Sequence, residues 1–575
     1  MIFTQIISAM TVTLCMLIDS IMIGKFLGVD SMAAYGFSNP ALLFFVAIGT
    51  MISAGVQVVV GKSMGNADME ATQKHYSTSI IITVSIALLG GLIFTIFINP
   101  ITTLLGAGEN TLDNPVFKLT KDYLYGFIIG APAFMFAQIM IPYLQIAGGR
   151  VRLVISVIVM TVTDILFDLL NVFVFHGGTF GMGLASSLSY YVALIIGIGF
   201  FFKKECIFKF RFKSFSFKSI VGIARAGTPT MINSLCLAFL VFILNNILNN
   251  AGDTDAVAAY SAVNTLANTF YCFGSGIGSV ALMLSAIFYG EENRQQLHNL
   301  VQSMFKTCLI IHIPLIAILQ VTSPFIISLF INSSEPAYHI AVVGLRLFSI
   351  CLIFSSFNTS YKNYVQGVGH LYFSVAISVL QNLVCTSVAA FILSSTIGVN
   401  QIFLCFAIGE ATTMLATVIM MFIINKRMHI SMRTVSMLPY GFGVSSKECY
   451  TAVISNPEEC VDVSQRAAEF SIEYGADNQT AVNISLCIEE VSMFIMEHGF
   501  KDGKEHSIEI LLFTKNGNRT VRIRDNCNPF DSISYIKMND DPDPNKNIGF
   551  KMVIAKAKSA MYYSALGLNN LNIVL

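Results

Sequence analysis

Three aspartates lie in otherwise apolar sequence and could do chemistry there. Asp19 interrupts the apolar amino-terminal run, and Asp164 and Asp168 interrupt a later one. An ionised carboxylate inside a bilayer is costly, so such acids usually face a cavity, a cation or a polar partner. Asp164 and Asp168 are four residues apart and share one helical face. Two carboxyls that close do not both ionise easily, so we expect them to titrate as a unit. A site that exchanges H⁺ or Na⁺ for a cationic solute needs that property.

Other polar residues in the apolar runs are candidates for solute contact. Tyrosine rings and amides hold flat organic cations through cation–π and hydrogen-bond contacts, and the candidates of this kind are Tyr35, Asn39, Gln57, Gln138, Tyr260 and Asn264. The hydroxyl of Ser186 is a candidate oxygen ligand for the coupling ion. Glu410 is expected near a helix entrance, where its carboxylate reaches water. Lys362 is expected to extend its ammonium group to the membrane interface.

The composition shows which elements must position these residues. The chain has 575 residues, of which 54% are hydrophobic and only 12% are charged, whereas soluble proteins carry about 25% charged residues. The net charge is zero, and 31 of the 68 charges fall in the last 140 residues. These values exclude a basic nucleic-acid binder, a disordered protein and a single soluble domain. They indicate a large membrane body followed by a soluble tail.

The apolar runs predict an all-α polytopic membrane body of about twelve helices, since each spanning helix needs about 20 apolar residues. Met1–Gly24 has no basic n-region and contains Asp19, so it is expected to be the first spanning helix rather than a signal peptide. Its amino end is short, so the chain is expected to begin partway into that helix. The twelve cysteines are scattered without a CxxC motif, which predicts packing residues and neither disulfides nor a metal site.

Basic residues predict the orientation. The loop after the sixth helix carries seven of them against one acid: Lys203, Lys204, Lys209, Arg211, Lys213, Lys218 and Arg225, with Glu205. Positively charged loops stay in the cytoplasm. A multi-pass protein of the cell membrane with both termini cytoplasmic is therefore expected.

An internal repeat supports the helix count. A shift of 225 positions aligns eight identical pairs, from Asp30 with Asp255 to Gly65 with Gly290, and a shift of 221 aligns Tyr143, Gln145 and Gly148 with Tyr364, Gln366 and Gly369. Six helices separate the copies, so both halves have the same topology. Their relation by an axis along the membrane normal, with a cleft between them, is typical of transporters.

Several motifs in the first half resemble those of the MATE (multidrug and toxic compound extrusion) family. They are Asp19-Ser-Ile-Met-Ile-Gly24, Ala33-Ala34-Tyr35-Gly36, Gln145-Ile-Ala-Gly148, Asp164-Ile-Leu-Phe-Asp168 and Gly181-Met-Gly-Leu-Ala-Ser186. In prokaryotic members the amino-terminal lobe holds the coupling-ion site. The resemblance implies that Asp19 and Asp168 are its acids, with Na⁺ as one candidate ion. Asp164 stands where the pattern usually has Asn, so the resemblance leaves H⁺ and Na⁺ both open.

The tail is predicted to be an α/β sandwich. The pattern favours a strand at 450–454, helices at 457–474 and 480–498, strands at 507–513 and 519–524 around the turn Asn516-Gly517, a helix at 550–559, and closing strands at 561–563 and 571–575. Helices and strands in this alternation form one layered domain.

Three tail motifs resemble those of anti-sigma-factor serine kinases, small members of the GHKL ATPase superfamily. They are Glu489-Glu490 with His498-Gly499-Phe500, the box Asp525-Asn-Cys-Asn-Pro529-Phe530-Asp531, and Asn547-Ile-Gly549-Phe550. The resemblance implies a nucleotide site at Glu490, Asp525 and Gly549. However, Phe494 replaces the Mg²⁺-binding Asn and Cys527 replaces a box Gly, which favours a degenerate regulatory or protein-binding domain over phosphotransfer.

The sequence thus predicts a six-helix lobe at 1–215, a second at 216–430, a linker at 431–446 and a GHKL-like cytosolic domain at 447–575. The first functional hypothesis is a secondary antiporter, not an enzyme, that exports organic cations or drugs in exchange for H⁺ or Na⁺. It needs no cofactor, and its partners are small organic cations, the lipid bilayer and a cytosolic regulatory protein. The alternatives are a membrane sensor that signals through the tail, and a lipid-linked precursor flippase. The last would need a cleft rich in Arg and Lys.

Overall fold

The fold was obtained as a computed structural model. The structure describes residues 2–108, 114–203, 206–250, 254–396, 402–426, 431–439, 441–444, 448–501, 503–515, 518–538 and 547–575. Within these ranges, twelve helices are long and apolar enough to cross a membrane. The prediction of a twelve-helix polytopic body is confirmed.

The helices of the membrane body fall into two successive sets. The first set is α1 (Ile2–Met22), α2 (Val29–Gly65), α3 (Met69–Ile96), the short α4 (Ile98–Leu104), α5 (Pro115–Ile146), α6 (Arg150–Leu170) and α7 (Gly178–Ile198). The second set is α8 (Phe217–Asn250), α9 (Thr254–Gly290), α10 (Arg294–Ser328), α11 (Pro336–Val368), α12 (Leu371–Val379), α13 (Cys385–Thr396) and α14 (Leu404–Asn425), followed by the single turn α15 (Met432–Val435). Each set has its own large hydrophobic core. Helix α2, from the first set, also packs against α8 and α9 of the second set.

Polar caps, rather than the limits of the uncharged runs, set several helix ends. Asp68, Asn114 and Asn293 accept hydrogen bonds from the first-turn amides of α3, α5 and α10. Side-chain caps satisfy amides that have no partner inside the helix. The helices therefore extend beyond the apolar runs from which they were predicted.

Three spanning helices contain a π-helical turn. The turns are Ile23–Leu27 after α1, Asn171–Phe175 after α6, and Leu380–Val384 between α12 and α13. A π turn inserts one extra residue into the helical repeat and often lies at a functional site. Apolar periodicity carries no signal for such turns, so they were not predicted.

The tail contains a five-stranded antiparallel sheet in the order β1-β2-β3-β5-β4. Its elements are β1 (Cys449–Ile454), α16 (Pro457–Glu473), α17 (Asn478–Gly499), β2 (Ile508–Lys515), β3 (Asn518–Asp525), α18 (Ser532–Met538), α19 (Ile548–Lys556), β4 (Ser559–Ala565) and β5 (Leu568–Val574). The sheet and its helices share one hydrophobic core. Helix α18 was not predicted, and the predicted turn Asn516-Gly517 lies outside the described residues.

The tail contacts both sets of helices at the same end of the membrane body. At the second set, Glu291 directly follows α9 and pairs with Arg522 at 3.2 Å and Arg524 at 2.8 Å. At the first set, the amide of Leu566, in the β4–β5 turn, donates to the carbonyl of Ile146 at 2.7 Å, and Arg150 donates to the Leu566 carbonyl. The tail sheet therefore bridges the two halves.

The linker also packs on the membrane body near this bridge. The ring of Phe442 stacks on Tyr289 at 4.6 Å, and Arg294 donates to the Phe442 carbonyl.

Burial alone would lower the pKa of Arg524, but the carboxylates of Glu291 and Glu509 raise it above its ordinary value. The guanidinium group is thus held in its charged form at the interface.

Close contact between α5 and α7 depends on reciprocal glycines. A Cβ atom on Gly183 would lie 2.5 Å from the Tyr123 carbonyl oxygen, and one on Gly126 would overlap the Phe180 carbonyl. Small residues that let backbones approach are a common means of helix association in membranes.

We predict that Gly183→Ala destabilises the membrane body by about 1–3 kcal/mol, because the added methyl group overpacks this contact. The measurement is the apparent melting temperature of the detergent-solubilised protein. Gly36→Ala is the matched control, since a Cβ there meets nothing within 4 Å. An equal melting temperature for both variants would contradict the packing argument.

Candidate functional site

The predicted acids come together in the first set of helices. Asp19 and Asp164 line a cavity of about 30 Å³ with Tyr35, Ser186, Ser189 and Tyr190. Such a volume holds about one or two water-sized groups. The helices α1, α2, α6 and α7 therefore enclose a site for a small ion rather than for a whole drug molecule.

Asp168 lies beside Asp19, fully buried, with its carboxyl group within hydrogen-bonding range of the Asp19 carboxyl. Among the described residues, neither Asp168 oxygen has a hydrogen-bond donor, and Asp19 Oδ1 has none either. Two carboxyl groups can hydrogen-bond only when one carries a proton. Two ionised carboxyls here would repel each other, so the pair favours a bound proton or cation.

Serine hydroxyls donate hydrogen bonds to two of the other carboxyl oxygens. Ser186 Oγ donates to Asp19 Oδ2 at 3.2 Å, and Ser189 Oγ donates to Asp164 Oδ1 at 3.0 Å. Ser186 thus lies at the acid cluster, and its role as an oxygen ligand for the coupling ion stays a prediction. Ser189 was missed, although it is three residues after Ser186 and so on the same face of α7.

Two π turns place the acids against α7. Asp19 precedes the turn Ile23–Leu27, and Asp168 precedes Asn171–Phe175. Asn171 accepts from the Gly177 amide at 3.1 Å and donates to the Gly178 carbonyl at 3.0 Å. It therefore fixes the end of α6 to the start of α7. Its Oδ1 atom also occupies the space that a Cβ on Gly181 would need.

The six predicted solute contacts do not form one cluster. Tyr35 lines the acid cavity and packs edge-on against Tyr123 at 5.4 Å. The others are dispersed: Asn39 is exposed on α2, Gln57 is buried farther along it, Gln138 is half-buried on α5 against Gly49, Tyr260 is buried in the core of the second set, and Asn264 is half-buried on α9. Of these six, Tyr35 alone lies at the acid cavity.

Two expectations for the second set of helices were wrong. Glu410 does not reach water: it is 4% exposed and accepts hydrogen bonds from Asn358 and Gln381. Lys362 does not extend to the interface: it is 5% exposed and bonded to Asn233 and Gln381. The polar partners come from helices distant in sequence, so a single-helix pattern could not show them.

The three tail motifs meet in the fold. The Glu490 carboxyl packs directly on Gly549, at the start of α19. The carboxyl of Asp525 is buried, which raises its pKa, and it accepts from Asn569 at 2.7 Å and from the Cys527 amide at 3.0 Å.

Aromatic rings join the same motifs. Phe494 packs against His498, Phe550 and Phe530 with centroids 4.3, 5.0 and 6.0 Å apart. A phosphate cradle needs unobstructed backbone amides, and Mg²⁺ needs oxygen ligands. The ring of Phe494 supplies neither, so this position lacks the Mg²⁺ ligand that the resemblance implies.

Comparison with known proteins places the membrane body in a family. The family model MatE matches residues 5–170 and 229–392. The chain is 23% identical over 345 residues to the probable multidrug resistance protein YoeA of Bacillus subtilis, covering 58% of this chain and 72% of that protein. It is 22% identical over 424 residues to the multidrug export protein MepA of Staphylococcus saprophyticus, covering 70% and 88%.

Solved structures agree with this assignment at the level of the fold. A crystal structure of a MATE protein in complex with MaL6 superimposes with a TM-score of 0.67 at 21% identity, covering 73% of this chain and 93% of that one. The Vibrio cholerae MATE transporter VcmN gives a TM-score of 0.67 at 17% identity, covering 72% and 93%. With the family model matched across more than half of its length, the chain belongs to the MATE family.

Proposed function

We propose that this protein is a secondary antiporter that exports small organic cations across the cell membrane in exchange for H⁺. The observation that carries the proposal is the buried Asp19–Asp168 pair, whose Asp168 oxygens have no donor among the described residues. An acid pair of this kind is stable only with a proton or cation bound, so emptying it must be coupled to another event. The multidrug relatives support drug-like organic molecules as solutes, and the acidic pair favours cations among them.

Exchange follows from competition for the same charge. A solute cation near Tyr35 favours ionised carboxyls, and a proton on the pair removes the negative charge that holds the solute. The acid cavity has room for an ion alone, so the solute must bind when the helix sets have moved apart. Rocking of two repeats about a central site is the general means of such access.

We favour H⁺ over Na⁺ as the coupling ion. The carboxyls of Asp19 and Asp168 lie within hydrogen-bonding range, a separation that one proton bridges. Na⁺ bound at Asp19 and Asp168 is the alternative that the proton-release measurement below tests.

The tail then lies in the cytosol, because the basic loops place both termini there. We propose boundaries at 1–215 and 216–430 for the two lobes, 431–446 for the linker and 447–575 for a degenerate GHKL-like α/β sandwich. The aromatic cluster around Phe494 supports a domain without phosphotransfer, so the protein is a transporter and not an enzyme.

The tail is proposed to modulate transport, with a cytosolic protein as its partner. The tail contacts the first helix set through the Leu566 amide, which donates to Ile146, and the second set through Arg524, which pairs with Glu291. Alternating access requires the cytoplasmic ends of the two sets to separate. A domain bonded to both sets opposes that separation, so its release should speed transport.

Asp168→Asn is expected to lower gradient-driven uptake of ethidium into everted vesicles at least about tenfold, which corresponds to about 1.4 kcal/mol. The amide cannot exchange a proton. In detergent, the parent protein should release protons when ethidium is added, with or without Na⁺, and the variant should not.

The matched control is Asp30→Asn, an exposed acid in the same set of helices, which should transport as the parent does. Parent-like transport by Asp168→Asn would overturn the proposal. Release that depends on Na⁺ would assign coupling to Na⁺ instead.

Glu291→Gln is expected to raise the initial uptake rate about twofold or more, equivalent to about 0.4 kcal/mol, because the pairing with Arg522 and Arg524 weakens. Faster proteolysis of the tail would report its release. The control is Glu335→Gln. Glu335 is an exposed acid directly before α11 and takes no part in the bridge. An unchanged uptake rate with a released tail would show that the bridge does not restrain transport.

A further inference from the structure

A second polar cavity lies among the helices of the second set, away from the acid cluster. Its volume is about 270 Å³, and it lies between α8, α9, α11, α12, α14 and the π turn at 380–384. Its polar lining includes Asn233, Lys362, Ser374, Gln381, Asn382 and Glu410. The volume approaches the lower end of small-molecule sites, about 300 Å³.

The ammonium group of Lys362 has one N–H without a hydrogen-bond acceptor among the residues that the structure describes. It donates to Gln381 Oε1 at 2.8 Å and to Asn233 Oδ1, and Asn233 Oδ1 also accepts from Asn382 at 2.6 Å. An ammonium group has three N–H donors. Both partners are neutral amides, and no carboxylate in the described part of the chain contacts this group directly.

Glu410 balances this charge only at a distance. Its Oε2 accepts from Asn358 at 2.8 Å and its Oε1 from Gln381 at 3.1 Å. Gln381 therefore stands between Lys362 and Glu410, and each carboxylate oxygen already has an amide donor. In the described part of the chain, the Lys362 ammonium group can therefore donate to one more ligand atom, whereas both Glu410 oxygens already accept hydrogen bonds.

The cavity offers a second hydrogen-bond donor. The Ser374 hydroxyl is buried, lines the cavity and has no partner among the described residues. Buried polar groups without a partner are costly. A ligand that supplied an acceptor here and at Lys362 would satisfy both groups.

We propose that this cavity binds the carboxylate of a small organic acid or zwitterion, with Lys362 as the charge partner and Ser374 as a hydrogen-bond donor. Its ligand-binding charge is an ammonium group, whereas the charged groups of the Asp19–Asp168 cluster are all carboxyls. The site does not depend on the proposed cation exchange, and the two proposals are tested by separate experiments.

Indole-3-acetate is a suitable probe because it is small, carries a carboxylate and fluoresces in a protein that contains no tryptophan. Binding to the purified full-length chain is followed by indole fluorescence anisotropy. Lys362→Met should weaken binding at least about tenfold, equivalent to about 1.4 kcal/mol. Glu410→Gln should leave it equal or tighten it, since the positive charge is then no longer balanced.

The controls separate charge from packing. Lys306→Met removes an exposed lysine from the same helix set and should bind as the parent does, and tryptamine, an indole of opposite charge, should not depend on Lys362. The neutral double variant Lys362→Met with Glu410→Gln, which avoids an unbalanced buried charge, should also bind weakly. Parent-like affinity in either Lys362 variant, or no binding by the parent, would overturn the proposal.

Discussion

The buried contact between the Asp19 and Asp168 carboxyls is the constraint on which the first half of the membrane body depends. Two such groups repel when both are ionised, so a proton or cation between them would stabilise the packing of α1 on α6. The surrounding hydroxyls bind other oxygens: Ser186 binds Asp19 Oδ2 and Ser189 binds Asp164. The fold thereby leaves the shared edge of the pair without a hydrogen-bond donor from the described residues, and the proposed coupling ion would bind there.

The two halves repeat the scaffold but not the chemistry. Each half has a π turn within a late spanning helix, at Asn171–Phe175 and at Leu380–Val384. In the first half the turn follows Asp168, whereas in the second it carries Gln381, which joins Lys362 to Glu410. A duplicated frame has therefore acquired an acidic site in one copy and a charge-balanced site in the other.

The sequence predicted the features that depend on composition or on the spacing of residues within a single helix. Twelve spans follow from apolar length, and Asp164 with Asp168 follows from a four-residue spacing. The burial of Lys362 could not be predicted, because Asn233 and Gln381 lie 129 and 19 residues away in the chain. The strands of the tail were predictable from alternation, but the pairing of Glu291 with Arg524 joins residues 233 apart and depends on how the domain docks.

The proposed modulation by the tail would act through the docking contact on the membrane body. Leu566 and Gly567 both have positive φ, as a tight two-residue β4–β5 turn requires. A Cβ on Gly148 would lie 3.2 Å from the Gly567 Cα, so backbone meets backbone where α5 ends. No flexible side chain separates the two surfaces at this point. Any movement of the end of α5 during transport must therefore move the hairpin, and a partner that displaces the hairpin must act on α5.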